Sequence, residues 1–189
     1  MVMQLKGDGT IVGMAAGQIT PTNLTQPLTL GTAKATTSGT SIDFSSTDGT
    51  AVPAWVKRIT LLFNNISLSS SASYGLVRLG AGSVDSASYN STLCTSQQAT
   101  SPVVITFSDG IYIFNPTTAA DTFSGTLVLN HIGGNIWVWN GQVNVPAAGS
   151  RVCGSAGSKA LSGALDRIRL TTSNGTDTFD AGSVNILYE

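Results

Sequence analysis

Apolar and polar positions alternate with a period of two through most of this chain, and the alternation is clearest near its end. Over 166–171, Ile168 and Leu170 point one way while Arg167 and Arg169 point the other, the pattern of a strand with one dry face. Ser173, Asn174, Gly175 and Thr176 interrupt it, and Asn-Gly between two such runs is a strong tight-turn signal because both residues tolerate positive φ. The chain returns through Phe179, Val184, Ile186 and Tyr188. The pattern therefore predicts a closing hairpin whose last strand lies in the core and tolerates no truncation.

Earlier segments repeat the period. Short strands are predicted over 33–37 and 40–44, broken at Ser38 and Gly39, and a stronger one over 55–63, where Ile59, Leu61 and Phe63 share a side and Asn64-Asn65 ends the run. A strand over 73–79 leads into a long polar excursion, 80–91, and residues 92–95 begin another strand. The runs 103–107 and 111–114 flank Ser108, Asp109 and Gly110 as a tight hairpin. A long strand over 121–131, with Gly125 as a candidate bulge, turns at Gly133-Gly134 and returns over 135–143. Residues 146–158, rich in Gly and Ala and containing Arg151 and Cys153, are predicted as a loop. About eight substantial strands with no helical period between them exclude a parallel α/β sheet. The fold class expected is all-β: an antiparallel β-sandwich of jelly-roll connection, because the loops are too unequal for a simple meander.

Residues 1–31 differ from the rest. Their apolar residues, Ile11, Val12, Met14, Ile19, Leu24, Leu28 and Leu30, stand singly among Gly and Pro, so the segment cannot bury enough area to hold itself together. It is expected to be an extended arm, for attachment or subunit exchange, in front of a sandwich domain over 32–189. The short apolar start at Met1 to Leu5 is stopped by Gly7, Asp8 and Gly9, too early for a secretory leader.

Composition sharpens the picture at one point. Charged residues make up 10% of the chain, well under the usual quarter or so, while 41% is hydrophobic. Hydroxyls and amides must form the surface, and such a surface suits being covered by other subunits. With a net charge of -1 no field steers a polyanion, so nucleic acid is not an expected partner. No apolar run approaches 18 residues, so no membrane span is expected. Cys94 and Cys153 give no spacing framework for a disulfide.

No enzyme chemistry stands out. His131 is the only histidine and lies beside no nucleophile elbow, and two cysteines with one histidine make no zinc motif. Asp177 and Asp180 flank the final strand and, with Asp166, either collect a hard cation or hydrogen-bond turn amides; no metal and no cofactor is expected. Trp137 and Trp139 lie on one side of their strand and Ile136 and Val138 on the other, so both faces are apolar: a core covers one, and a subunit interface is expected to cover the second. Tyr89 and Asn90 in the 80–91 excursion, and Tyr74 if it faces outward, are candidate receptor contacts, since a ring can stack on a pyranose while amides take its hydroxyls.

The segments Leu161-Ser-Gly-Ala-Leu165, Asp166-Arg-Ile-Arg-Leu-Thr-Thr172 and Asn174 to Glu189, with Trp55-Val-Lys-Arg-Ile-Thr60 earlier, resemble a β-domain of tailed-bacteriophage structural proteins. That domain ends tail fibre and tail spike chains and also occurs in small stand-alone virion proteins. The segment from Gly9 to Gly17 resembles leaders placed before it. The resemblance spans 32–189, is most specific in the last 30 residues, and carries no catalytic residue. It implies a virion surface component, commonly a homotrimer. Only residues 1–31 precede the domain, where a fibre would have a shaft, so a capsid decoration or head-fibre protein is expected, held to the major capsid or tail protein by its arm. The alternative is a tail fibre tip or adaptor that binds a host surface polysaccharide.

Overall fold

The computed structural model describes residues 4–5, 11–12, 28–98, 100–146 and 150–189. Gln4–Leu5 (β1) and Ile11–Val12 (β2) pair with each other. The following strands are Thr29–Leu30 (β3), Lys34–Ala35 (β4), Ser41–Phe44 (β5), Arg58–Leu68 (β6), Gly75–Ala81 (β7), Ser83–Val84 (β8), Asn90–Gln97 (β9) and Val103–Phe107 (β10). Ile111–Phe114 (β11), Thr122–Gly133 (β12), Ile136–Val145 (β13), Arg151–Ala160 (β14), Arg167–Thr172 (β15) and Phe179–Tyr188 (β16) complete the set. A large sheet runs β10-β9-β14-β13-β12-β6-β16-β3 with β4 also on β16; a small sheet runs β11-β7-β15-β5 with β8 on β7. Every pairing is antiparallel, and the two sheets form a sandwich of jelly-roll type, as the alternation predicted.

The inner faces supply one core. Ile59, Leu61 and Phe63 from β6, Leu127 and Leu129 from β12, and Val184 and Ile186 from β16 meet Phe44, Leu79, Ile168 and Leu170 of the small sheet, all buried. Phe123 of β12 stacks on Phe114 of β11 at 4.5 Å between ring centroids, joining the two layers. Each such side chain contributes about 1.5–3 kcal/mol when fully removed from water.

Four local expectations are corrected. β15 and β16 are not a hairpin: β15 lies between β7 and β5 in the small sheet and β16 beside β6 in the large one. The Asn174-Gly175 turn is a corner between sheets, in which the Asn174 carboxamide oxygen accepts the amides of Thr176 and Asp177, both at 3.0 Å, and Gly175 takes φ 69°. β10 and β11 are likewise not paired; β10 lies on β9 and β11 on β7, and the chain crosses the sandwich at 108–110, where the Tyr89 amide holds the Ser108 carbonyl at 2.9 Å. Asn64-Asn65 does not end its strand. Asn65 at φ 50° forms a bulge after which Ile66 faces inward again beside Phe63, and Gly182 opposite has no room for a Cβ against the Asn65 carbonyl. Most of the expected 146–158 loop is β14, which lies between β9 and β13 well inside the large sheet.

The arm boundary also moves. Thr29–Leu30 and Lys34–Ala35 both pair with β16, so residues 29–31 join the sheet rather than precede it.

Candidate interaction surfaces

The two outward faces of the sandwich differ in kind. On the small sheet, Arg169 of β15 grips Asp43 of β5 through two bonds of 2.7 Å, Arg167 reaches Asp166 at 2.7 Å, and Arg78 of β7 reaches Asp109 at 3.3 Å. Lys34 pairs with Asp48 at the margin of the same face. Between them lies a cleft of about 360 Å³ lined by Asp43, Ser45, Thr47, Asp48, Val84, Arg167 and Arg169.

On the large sheet no outward position of β9, β14, β13 or β12 is charged. Register places these positions in rows. One row runs Val104, Cys94, Gly154, Gln142, Thr126, Leu62 and Asn185; the next runs Thr106, Thr92, Ala156, Asn140, Val128, Thr60, Leu187 and Leu30. Arg58, with its partner Glu189 at 3.3 Å, is confined to a corner. The exposed ion pairs of Arg78, Arg167 and Arg169 thus lie on the small-sheet face, with that of Lys34 at its margin.

Cys94 faces outward on β9 while Cys153 faces inward on β14, so the alternation of the pleat keeps the two thiols apart and both are free.

The expected interface residues divide between core and surface. Trp137 and Trp139 are 4% and 3% exposed and belong to the core, while Ile136 is 41% exposed and Val138 half-buried on the outward face. The two tryptophans are therefore corrected to core residues. Trp139 lies over Gly157, whose backbone admits no Cβ there. That close approach explains Gly157, one of the residues that made this strand read as a loop.

Tyr89 is corrected in the same sense. It is 4% exposed, and its hydroxyl accepts the Leu79 amide at 2.8 Å and lies 3.1 Å from the Asp85 carbonyl, to which it donates. Burial pushes its pKa up to about 12. Lys159 of β14, itself buried, donates to the Ala87 carbonyl at 2.8 Å, pairs with Asp85 at 3.0 Å and stands over the Tyr89 ring. The 80–91 excursion is folded back onto the sandwich by these contacts. Tyr74 packs edge-on against Phe107 and Tyr112 at 5.5 and 5.4 Å, half-buried rather than presented outward. Asn90 is exposed at the start of β9.

Of the arm residues, Met14, Ile19 and Leu24 lie outside the described residues, and Ile11 and Val12 form β2. Leu28 and Leu30 are 66% and 60% exposed. The three carboxylates near the final turn are engaged separately: Asp177 accepts the Ser73 hydroxyl at 2.6 Å, Asp180 that of Ser67, and Asp166 the Gly82 amide at 3.1 Å. Among the described residues no three metal-ligating side chains converge. The His131 ring lies 2.7 Å from the Gly134 carbonyl, beside a cavity of about 140 Å³ lined by no Ser, Cys or Asp.

Two features escaped the sequence reading. Arg151 at the start of β14 and Asp121 before β12 form an ion pair with both side chains 2% exposed. Trp55 and Tyr188, with Phe44, Pro53, Thr29, Thr32 and Thr50, line an uncharged pocket of about 310 Å³ beside β3. A period-two reading of 151, 153, 155, 157 and 159 as one inward face would have signalled the first; the second joins segments too distant in sequence to signal anything.

No family model, curated protein or solved structure matches the chain.

Proposed function

We propose that this chain is a non-enzymatic structural protein on the surface of a bacteriophage particle, a capsid decoration or head-fibre protein that assembles as a homotrimer and attaches through its N-terminal arm. The observation that carries this reading is the division of the surface. A large-sheet face whose charge is confined to the Arg58–Glu189 corner is suited to contact with other protein, and a charged, ion-paired small-sheet face is suited to permanent contact with solvent. The resemblance of the last segments to a phage virion β-domain supplies the setting. Exposed Leu28 continues the intermittently apolar arm, which can dock by strand pairing or small pockets on a partner surface.

A variant lacking residues 1–27 keeps β3 and the whole sandwich, so it is expected to remain folded and to lose attachment. Particles made without the protein are incubated with purified full-length or shortened chain and imaged by electron microscopy. Density restored at the head by the full chain alone supports the reading. Equal decoration by the shortened chain removes the attachment role of the arm, and density at the tail alone replaces decoration by the second reading.

That second reading, a tail fibre tip or adaptor binding a host surface polysaccharide, is favoured by the Trp55–Tyr188 pocket, where aromatic carbons and threonine hydroxyls line one uncharged space. Trp55 is the one tryptophan that is not buried, so acrylamide quenching of the intrinsic fluorescence reports chiefly on it. Host polysaccharide is expected to protect the wild-type protein from quenching. Quenching of the wild type unchanged by polysaccharide would eliminate this pocket as the site.

A further inference from the structure

β14 runs inside the large sheet but contributes no aliphatic side chain to the core: its inward positions are Arg151, Cys153, Ser155, Gly157 and Lys159. At the two ends of that row the polar groups find partners, Arg151 in Asp121 and Lys159 in Asp85 and the Ala87 carbonyl. In the middle they do not. Ser155 Oγ, Ser91 Oγ on β9 and Trp139 Nε1 on β13 are buried, their residues 6%, 0% and 3% exposed, and among the described residues no group lies within hydrogen-bonding reach of any of them. A buried hydroxyl or indole N–H left so bears the full cost of its lost hydration, and in folded proteins such groups are nearly always paired with protein or with ordered water.

Register brings the three groups together. Ser91 and Trp139 stand opposite Gly157 from its two sides, and Ser155 lies two residues along β14 on the same face, about 7 Å away. The Trp139 ring lies over Gly157, its Cζ2 2.5 Å from where a Cβ would stand, and Nε1 is two bonds from that atom. The N–H edge of the indole therefore lies by the strand that carries Ser155 and next to the one that carries Ser91.

We propose that an internal water molecule binds between the sheets at Ser91, Ser155 and Trp139. Its oxygen accepts the indole N–H and one serine hydroxyl, and one of its protons goes to the other serine oxygen, so a single molecule gives all three groups a partner. Buried waters make about three such bonds each, and one water joins groups up to about 5.5 Å apart, twice a hydrogen-bond length. Leu93, registered against Ser155, Cys153 beside it on β14 and Tyr89, whose ring meets that of Trp139, are buried as well, so a larger solute has no way in. The water links β9, β14 and β13 across the stretch where the inner side of β14 offers the core only a hydroxyl and a glycine.

Ser91→Ala and Ser155→Ala each remove one oxygen and leave the backbone and the indole in place, so both variants should fold. Each is expected to lower the urea midpoint by about 0.5 M, since it takes a partner from the water and leaves the remaining groups poorer. The double variant should lose less than the sum of the two, because both substitutions act on one bound molecule. In a crystal structure of the wild type the water is expected within about 3.2 Å of at least two of the three groups. A dry site in that structure overturns the proposal, as does a midpoint that either substitution leaves unchanged or raises, the result for a hydroxyl buried without a partner. Losses that simply add overturn the shared site, and anomalous scattering at that position from crystals grown in bromide overturns water as the occupant in favour of a halide held by the same donors.

Discussion

Arg151→Ala is expected to lower the stability of the fold by about 3–5 kcal/mol, because it strands a buried carboxylate. Asp121 lies with its side chain 2% exposed at the entry to β12. It accepts the Thr117 amide at 2.7 Å, the Thr117 hydroxyl at 3.0 Å and the Thr118 amide at 3.2 Å, while Arg151 supplies the positive charge against it. These bonds tie the segment before β12 to the first residue of β14, two strands away in the large sheet. For a chain of this length the loss corresponds to a fall of about 10 °C in Tm. Arg151 Nη1 has no hydrogen-bond partner among the described residues, so the pair is incompletely satisfied. The double variant Asp121→Asn, Arg151→Met should therefore recover a large part of the loss. Chemical denaturation of the four proteins closes the cycle, and a single-variant loss under about 1 kcal/mol would show that the pair contributes nothing net.

The same pair sets an acid limit. Although burial alone would raise it, the threonine amides and the Arg151 guanidinium hold the Asp121 pKa down to about 2. Its unfolded value is about 3.9, so the folded state binds this proton less readily, and the stabilisation is complete above about pH 4 and disappears as pH falls through about 2. The magnitude is about 2–3 kcal/mol. Asp48, also held at about 2 beside Lys34, adds less because it is partly exposed. Unfolding midpoints measured from pH 5 to pH 2 should fall, and Asp121→Asn should be less stable at pH 5 but show a flatter profile.

The class of the fold was legible because period-two alternation is a local property. Ile59, Leu61 and Phe63 had to share a face whatever their neighbours were. The partition of strands between two sheets was not legible, because a turn residue reports that the chain reverses but not whether it reverses within a sheet or across the sandwich. Asn174-Gly175 and Ser108 to Gly110 are both turns, as their residues indicated, and both are crossings. β14 was missed for a different reason: Gly154 and Gly157 read as loop formers, whereas Gly157 is a strand residue under the Trp139 ring.

For the surfaces, the split of Trp137 and Trp139 from Ile136 and Val138 was written in the alternation. The direction of each pair was not, and burial of the larger aromatic area decided it. Tyr89 looked like a contact because its neighbours in sequence are polar. Its neighbours in space are Leu79 and Lys159, and an inward tyrosine with a satisfied hydroxyl has the same local sequence as an outward one. The absence of charge from the large-sheet face was present in the composition only as a low total; register was needed to locate it.

A chain ending at Gly182 is expected to lose its cooperative fold. The truncation leaves Phe179 and the first bulged residues of β16 but removes Val184, Ile186 and Tyr188, which are 1%, 1% and 7% exposed. Their burial contributes about 5–9 kcal/mol, comparable with the whole net stability of a domain, about 5–15 kcal/mol. The loss is larger than the side chains alone, because β16 is the strand that separates β6 from β3 and β4. Without it the outer edge of β6 is unpaired, and Ile59, Leu61 and Phe63 lose their neighbours on that side. The Glu189 backbone also goes, and with it the carbonyl that accepts the Lys57 and Arg58 amides at 2.7 and 2.9 Å. Ile186→Ala provides the graded comparison: it leaves every backbone bond in place and should remain folded with a loss of about 2–5 kcal/mol. Near-ultraviolet circular dichroism and urea titration separate the two cases. A truncated chain that still unfolds in one sharp transition would mean that β6 tolerates a free edge, and that the sandwich closes without the strand that now joins its arm side to its core.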